Sequence, residues 1–129
     1  MQIRLNKHEH NFDTDKVIER GIDPTQRAWI EINGQVIANN VKQLKASLKK
    51  NCQLMAVVKA DGYGHDARVV SEYAIKGGAS QLGVATLKEG IKLRSVGIST
   101  PILILGNLHA KKDLLICIKN DLMPTISSI

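Results

Sequence analysis

The 129-residue chain is long enough for one domain or for part of one. An apolar fraction of 43% supports a hydrophobic core, and an aromatic fraction of only 3% means that this core must be aliphatic. The formal net charge is +6, from 18 basic and 12 acidic residues. Because the lysines are spread over several segments and aromatic side chains that stack on bases are nearly absent, the composition argues against a nucleic-acid partner.

The two cysteines, Cys52 and Cys117, are too few and too far apart to indicate a disulfide framework or a zinc site. We expect them to be buried thiols in a reducing cytosol. The sequence shows neither a long apolar signal region nor a segment long enough to span a bilayer. It therefore predicts a soluble cytoplasmic protein with no membrane partner.

Residues 1–26 are polar and mixed in charge, and we interpret them as an N-terminal extension. The run His8-Glu9-His10 has metal-ligating side chains, but no further His or Cys lies close enough in sequence to complete a site. A solvated terminus is the favoured interpretation. Residues 27–32 then alternate polar and apolar side chains, which is typical of a half-buried strand.

The next elements alternate between helix and strand. Asn33 is placed to cap a helix, and residues 54–59 have the composition of a buried strand. Gly62 and Gly64 predict a turn, after which Asp66 is placed to cap a second helix. The remaining predicted elements are a strand at 81–85, a helix that starts with a Thr86–Glu89 capping box, a strand at 102–105 buried on both faces, a helix around 114–118 and a weaker strand at 122–126.

This alternation predicts a parallel sheet, because each connection between strands contains a helix. Two α/β architectures remain open: a doubly wound sheet, or an arc of a (β/α)₈ barrel. A full TIM-like barrel needs about 250 residues, so a barrel of this length would be incomplete. The chain also stops just after a strand begins, which favours a fragment over a finished domain.

One hypothesis for the chemistry is a dinucleotide site. The run Gly62-Tyr63-Gly64-His65-Asp66-Ala67 matches G-x-G-x-x-G/A between a strand and a helix. However, Lys59-Ala60-Asp61 separates the glycines from the strand, and no acidic residue ends the next strand to bind a ribose. The motif alone is weak evidence for a Rossmann-type domain.

A second hypothesis is a Schiff-base lysine. Lys59 lies at the carboxyl end of the central strand, where α/β proteins bind ligands, and a partly desolvated amine can condense with an aldehyde. The following turn offers Tyr63 and backbone N–H groups to a phosphate. From the spacing alone, a lysine that extends into solvent from the strand end is the favoured alternative.

A resemblance to a known family changes this balance. The stretch Ala56-Val57-Val58-Lys59-Ala60-Asp61-Gly62-Tyr63-Gly64-His65 resembles the pyridoxal-phosphate attachment motif of alanine racemases, A-V-V-K-A-N/D-A-Y-G-H-G. Flanking segments agree in order and spacing, so that the similarity covers about residues 27–126. Gly62 and Asp66 depart from the motif, where the family has alanine and glycine.

The resemblance implies that residues 27–129 are the incomplete N-terminal part of a fold-type III (β/α)₈ barrel, without the family's C-terminal β domain. It implies that Lys59 holds pyridoxal 5′-phosphate and serves as one of two bases. It also implies that Tyr63 binds the cofactor phosphate, and that His65 only supports the loop. The family interconverts L- and D-alanine, supplies D-alanine for peptidoglycan and works as a homodimer.

The resemblance also implies that part of the site is missing. The family's second base is a tyrosine from the C-terminal domain of the partner subunit, and it has no counterpart in these 129 residues. We therefore expect the isolated chain to be inactive. The alternative hypothesis is a truncated remnant that is inert or that only binds the cofactor.

Overall fold

The computed structural model describes residues 3–5, 30–108 and 110–127. The predictions for His8-Glu9-His10 and for residues 27–29 lie outside this part of the chain. The elements, in chain order, are β1 (Ile3–Leu5), β2 (Ile30–Ile32), α1 (Gly34–Ser47), β3 (Met55–Val57), α2 (Lys59–Tyr63), α3 (Ala67–Lys76), β4 (Gln81–Val84), α4 (Leu87–Ser95), β5 (Ile102–Asn107), α5 (Lys111–Lys119) and β6 (Leu122–Thr125). Strand β1 falls within the predicted extension and pairs antiparallel with β2.

Three helices begin at the residues that the sequence predicts. The Asn33 side chain accepts a hydrogen bond from the Val36 N–H at 3.2 Å at the start of α1. The Asp66 carboxylate accepts one from the Val69 N–H at 3.0 Å at the start of α3. Helix α4 begins with the complete capping box that Thr86 and Glu89 predict. These caps satisfy backbone donors that the first turn of a helix leaves unpaired.

The strands β3, β4, β5 and β6 form one parallel sheet in that order. Parallel crossovers are almost always right-handed, so a strand order that never reverses puts every crossover helix on the same face. A doubly wound sheet needs a reversal of strand order and helices on both faces. The sequential order therefore decides between the two predicted architectures in favour of a barrel arc.

Burial agrees with this assignment. The sheet face toward the helices forms the core, and its buried members are Val58, Leu82, Val84, Ile102, Ile104 and Leu122. On the other face, Val57, Leu105 and Met123 are 36–41% exposed. The fold is thus an α/β arc of parallel strands and helices, the incomplete N-terminal part of a TIM-like barrel, as predicted.

The prediction that both thiols are buried holds for Cys117 but is wrong for Cys52, which is exposed because it lies in the connection between α1 and β3.

Two predictions about strands also need correction. The strand at 102–105 was expected to be buried on both faces, but Leu105 is exposed because the described helices cover only one face. The central strand was expected to reach Lys59, but β3 ends at Val57. The Val58 N–H still bonds the Gly83 carbonyl at 2.8 Å, and the Gly62 N–H then bonds the Val58 carbonyl at 3.0 Å, so the chain has already turned at Lys59.

Candidate functional site

The carboxyl ends of the parallel strands meet at one edge of the sheet, and Lys59 follows β3 at this edge. The ends of β4 and β5 are joined there, since the Gly106 N–H donates to the Ala85 carbonyl at 3.1 Å. A Cβ added to Gly106 would lie 2.5 Å from the same oxygen, so only glycine allows this approach. In barrels of this type, ligands bind at this edge.

The segment that follows Lys59 is left-handed. Ala60, Asp61 and Gly62 have φ values of 52°, 55° and 64°, and Tyr63 has a φ of 55°. A left-handed helical conformation costs an L-residue other than glycine about 1–2 kcal/mol. The Gly64 N–H bonds the Ala60 carbonyl at 3.1 Å within this turn. The sequence indicated a glycine turn here, but nothing in it indicated three left-handed residues that have side chains.

Glu89 connects this turn to the end of β4. One carboxylate oxygen accepts a hydrogen bond from the Ala60 N–H at 2.8 Å. The other accepts from the N–H groups of Ala85 and Thr86 at 2.8 and 2.9 Å. The capping box was predicted from the Thr86–Glu89 spacing, whereas the contact with Ala60, 29 residues away, has no signal in the local sequence.

The surroundings of Glu89 also set its ionisation. Burial on its own would raise the pKa of this carboxyl group. The hydrogen bonds from the backbone of Ala60, Thr86 and Ala85 and from the Thr86 side chain outweigh burial and hold the pKa below its ordinary value of 4.5. Glu89 is therefore an anion at neutral pH.

Further contacts hold the rest of the turn. The Asp61 carboxylate accepts from the Ala67 N–H at 3.3 Å and pairs with the Lys92 ammonium at 3.2 Å. His65 Nδ1 lies 3.0 Å from the Tyr63 carbonyl, so the tautomer with a proton on Nδ1 donates to that oxygen. These contacts agree with a supporting role for His65.

The structure places the two predicted site residues on the same turn. The Lys59 side chain is partly buried, and within the described part of the chain no hydrogen bond or ion pair occupies its ammonium group. Tyr63 is 58% exposed at the other end of α2. Both groups are accessible to a ligand at the strand edge.

An apolar patch, formed by Val57, Gly83 and Leu105, lies on the uncovered face of the sheet. A Cβ added to Gly83 would lie 3.2 Å from Met55 Sδ and 3.5 Å from Val57 and Leu105, so the bare glycine lets these side chains pack closely over the sheet. The patch lies close to Lys59 in the chain, since Val57 is the last residue of β3 and precedes Lys59 by two positions. The described residues contain no cluster of His, Cys, Asp and Glu side chains that could hold a metal ion, and none of their helices is long and apolar enough to cross a bilayer.

Comparison with known proteins identifies the family. Residues 32–129 match the family described as "Alanine racemase, N-terminal domain". The chain belongs to this family. The alanine racemase of Prochlorococcus marinus is 55% identical to it over 107 residues, which are 83% of this chain and 28% of that protein.

Solved structures of the family agree with the barrel arc. The alanine racemase from E. faecalis superposes with a TM-score of 0.70 at 41% identity, over 74% of this chain and 25% of that one. The Bacillus anthracis alanine racemase with bound L-Ala-P gives a TM-score of 0.69 at 38% identity, over 72% and 24%. The chain thus spans about a quarter of the length of the relatives that it matches.

Proposed function

We propose that the protein to which this chain belongs is a pyridoxal-phosphate-dependent alanine racemase that interconverts L- and D-alanine. The observation that carries this proposal is the placement of Lys59: a partly buried amine at the carboxyl edge of the barrel arc, next to an apolar patch. An aldehyde cofactor needs an amine of this kind, and its ring needs a flat apolar surface. The residues present therefore fit the cofactor.

Four residues of the chain have a part in this proposal. Lys59 binds the cofactor covalently through its amine and moves the α-proton on one face of the amino acid. Tyr63 donates a hydrogen bond from its phenol to the cofactor phosphate. The bound cofactor supplies an electron sink for the negative charge that forms when the α-proton leaves. Val57 and Leu105 would offer the ring an apolar surface.

Alanine as substrate, the second base, a homodimer and a cytoplasmic location belong to the same proposal. The L-Ala-P bound to the Bacillus anthracis relative supports a site for a small amino acid. The second base comes from a part of the family's proteins that these residues do not match, since the matched portion is about a quarter of each relative.

The test is covalent attachment of the cofactor. We expect the chain, incubated with pyridoxal phosphate and treated with borohydride, to retain the cofactor on Lys59, as mapped by peptide mass spectrometry. Lys59→Ala should abolish this attachment. Lys119→Ala is the matched control, because Lys119 is exposed at the far end of α5 and should not affect it. Equal labelling of the Lys59→Ala chain would refute the assignment.

The second candidate is cofactor binding without racemisation of alanine, which the presence of Lys59 and Tyr63 alone would support. Exchange of the alanine α-proton in deuterated water separates the two. We expect no exchange with the isolated 129 residues, since they offer one base of two. Exchange by this chain alone would overturn that expectation.

A further inference from the structure

We propose that Glu89 is a positioning residue for Lys59: its carboxylate fixes the left-handed turn, and thereby the point from which the Lys59 side chain extends. This inference rests on the proposed function, because it assigns Glu89 a part in the reaction of Lys59 with an aldehyde. Glu89 itself does not contact the reacting groups; it acts through the backbone.

The hydrogen bonds of the Glu89 carboxylate join the turn to the end of β4, and we call this set of bonds the clamp. One Glu89 oxygen accepts a hydrogen bond from the Ala60 N–H, which is part of the peptide bond that joins Ala60 to Lys59. The second carboxylate oxygen binds the N–H groups of Ala85 and Thr86, which follow β4. One side chain therefore locks the peptide after Lys59 to the end of the neighbouring strand.

The chemistry of the contacts requires a carboxylate. Three N–H donors converge on Glu89, and both of its oxygens accept. A glutamine has only one oxygen, so its amide NH₂ would face a backbone donor on one side. The orientation that keeps two of the three bonds points the glutamine oxygen at Ala85 and Thr86, so the Ala60 N–H would lose its acceptor. The left-handed conformation would then lose a contact that offsets its cost.

A second contact joins the same turn to the same helix. Lys92 pairs with Asp61, but both side chains are more than half exposed, at 60% and 57%. An exposed ion pair of this kind contributes little. Glu89 therefore provides the main restraint, and Lys92 offers a matched control on α4.

The test measures how selectively Lys59 reacts with an aldehyde. The probe is pyridoxal phosphate with cyanoborohydride: the amine attacks the aldehyde carbon, water leaves, and hydride from the reductant gives a stable secondary amine. Mass spectrometry gives the ratio of label on Lys59 to label on Lys119 in the same molecule. We expect Glu89→Gln to lower this ratio about tenfold, because small displacements of reacting groups are costly.

Two controls separate positioning from simple stability. Lys92→Met removes the exposed ion pair, and Thr86→Val removes the hydroxyl that accepts the Glu89 N–H at 3.2 Å but leaves the carboxylate on Ala60. Both should keep the ratio within about twofold of the original chain. Circular dichroism defines the temperature at which every variant is folded. If Glu89→Gln does not fold, Glu89→Asp replaces it, because aspartate keeps the charge but is too short to bridge Ala60 and the end of β4.

Hydrogen exchange gives a second readout. In Glu89→Gln the Ala60 amide should exchange faster, while amides in β5 stay protected. An unchanged labelling ratio in folded Glu89→Gln, with Lys59 still selective, would overturn the positioning role and leave the proposed function standing. Absence of selective Lys59 labelling in the original chain would instead overturn the proposed function.

Discussion

At the scale of single residues, the charge of Glu89 acts directly on the backbone around it. It accepts three backbone hydrogen bonds that a neutral carboxyl group would satisfy less well. Its lowered pKa is the consequence of those bonds, since burial acts in the opposite direction. The same carboxylate caps α4 and holds the turn after Lys59, so that its protonation weakens two elements together.

This gives a prediction about acid stability. Because the pKa of Glu89 is lower in the folded than in the unfolded chain, its charge stabilises the fold at a pH above its ordinary value of 4.5. That contribution is lost as the pH falls below 4.5 and through the lowered pKa. We expect the difference in free energy of unfolding between the original chain and Glu89→Gln to be largest at neutral pH.

Urea denaturation at a series of pH values from neutral downward measures this difference. The gap between the two chains should narrow below pH 4.5, because there the unfolded chain takes up the Glu89 proton while the folded chain, with its lowered pKa, still holds the carboxylate. Glu72→Gln is the control, because Glu72 lies 36% exposed in an i,i+4 pair with Arg68. A gap that does not change with pH would show that the Glu89 charge is irrelevant to stability.

Only the part of the site that depends on residues close together in the sequence could be predicted from the sequence. Lys59 and Tyr63 are predicted from the motif around them, and the structure places both on the turn after β3, at the carboxyl edge of the sheet, while their roles stay predictions. The clamp from Glu89 to Ala60 joins residues 29 positions apart, and no periodicity reports such a contact. The local sequence predicts the capping box, whereas the hydrogen bond between Glu89 and Ala60 depends on tertiary structure.

At the scale of elements, Arg94 is the main connection at the amino-terminal edge of the sheet. Its guanidinium donates to four carbonyls, at 2.7–3.0 Å, from two different connections. Ile98 and Thr100 precede β5, while Asn120 and Asp121 precede β6. One side chain on α4 thus fixes how two consecutive strands enter the sheet.

We predict that Arg94→Met lowers the free energy of unfolding by about 2–3 kcal/mol, because carbonyls that lose a charged donor remain partly buried. Arg68→Met is the matched control: Arg68 makes one i,i+4 pair with Glu72 on the surface of α3, worth about 0.3–0.5 kcal/mol. Urea denaturation of both variants provides the comparison. Equal effects of the two substitutions would contradict the connecting role of Arg94.

The elements differ in how well the sequence predicts them. Caps depend on side chains within three residues, so Asn33, Asp66 and Thr86 marked the starts of α1, α3 and α4 correctly. The left-handed turn was not predicted, because its stability depends on distant contacts that offset an unfavourable local conformation. Strand β3 ends before Lys59 for the same reason: the distant contacts that stabilise the turn outweigh the local preference for an extended strand.

At the scale of the whole molecule, the sequence left two architectures open, since alternating helices and strands are common to both. Strand order decides between them, and strand order is a property of long-range pairing. The uncovered face of the sheet follows from this order: with the described crossover helices on one side, Val57, Leu105 and Met123 are left partly exposed.

An uncovered apolar sheet face predicts self-association of the isolated 129 residues. Met123 is 36% exposed on β6, which within the described chain pairs on one side only, with β5. Burying a whole methionine side chain contributes about 1.5–3 kcal/mol and the exposed third about 0.5–1 kcal/mol, so Met123→Lys should weaken association by about threefold or more. Sedimentation velocity over a range of protein concentrations measures the effect.

Ile118→Lys is the matched control for this prediction. Ile118 is 75% exposed on α5, on the helical side of the arc, so a lysine there should leave association through the sheet unchanged. Both substitutions add the same charge, and a general effect of repulsion would therefore appear in both. If Ile118→Lys weakened association as strongly as Met123→Lys, the contact would not run through the open sheet face. A chain that stayed monomeric at every concentration would show that the exposed strand side chains do not drive association at all.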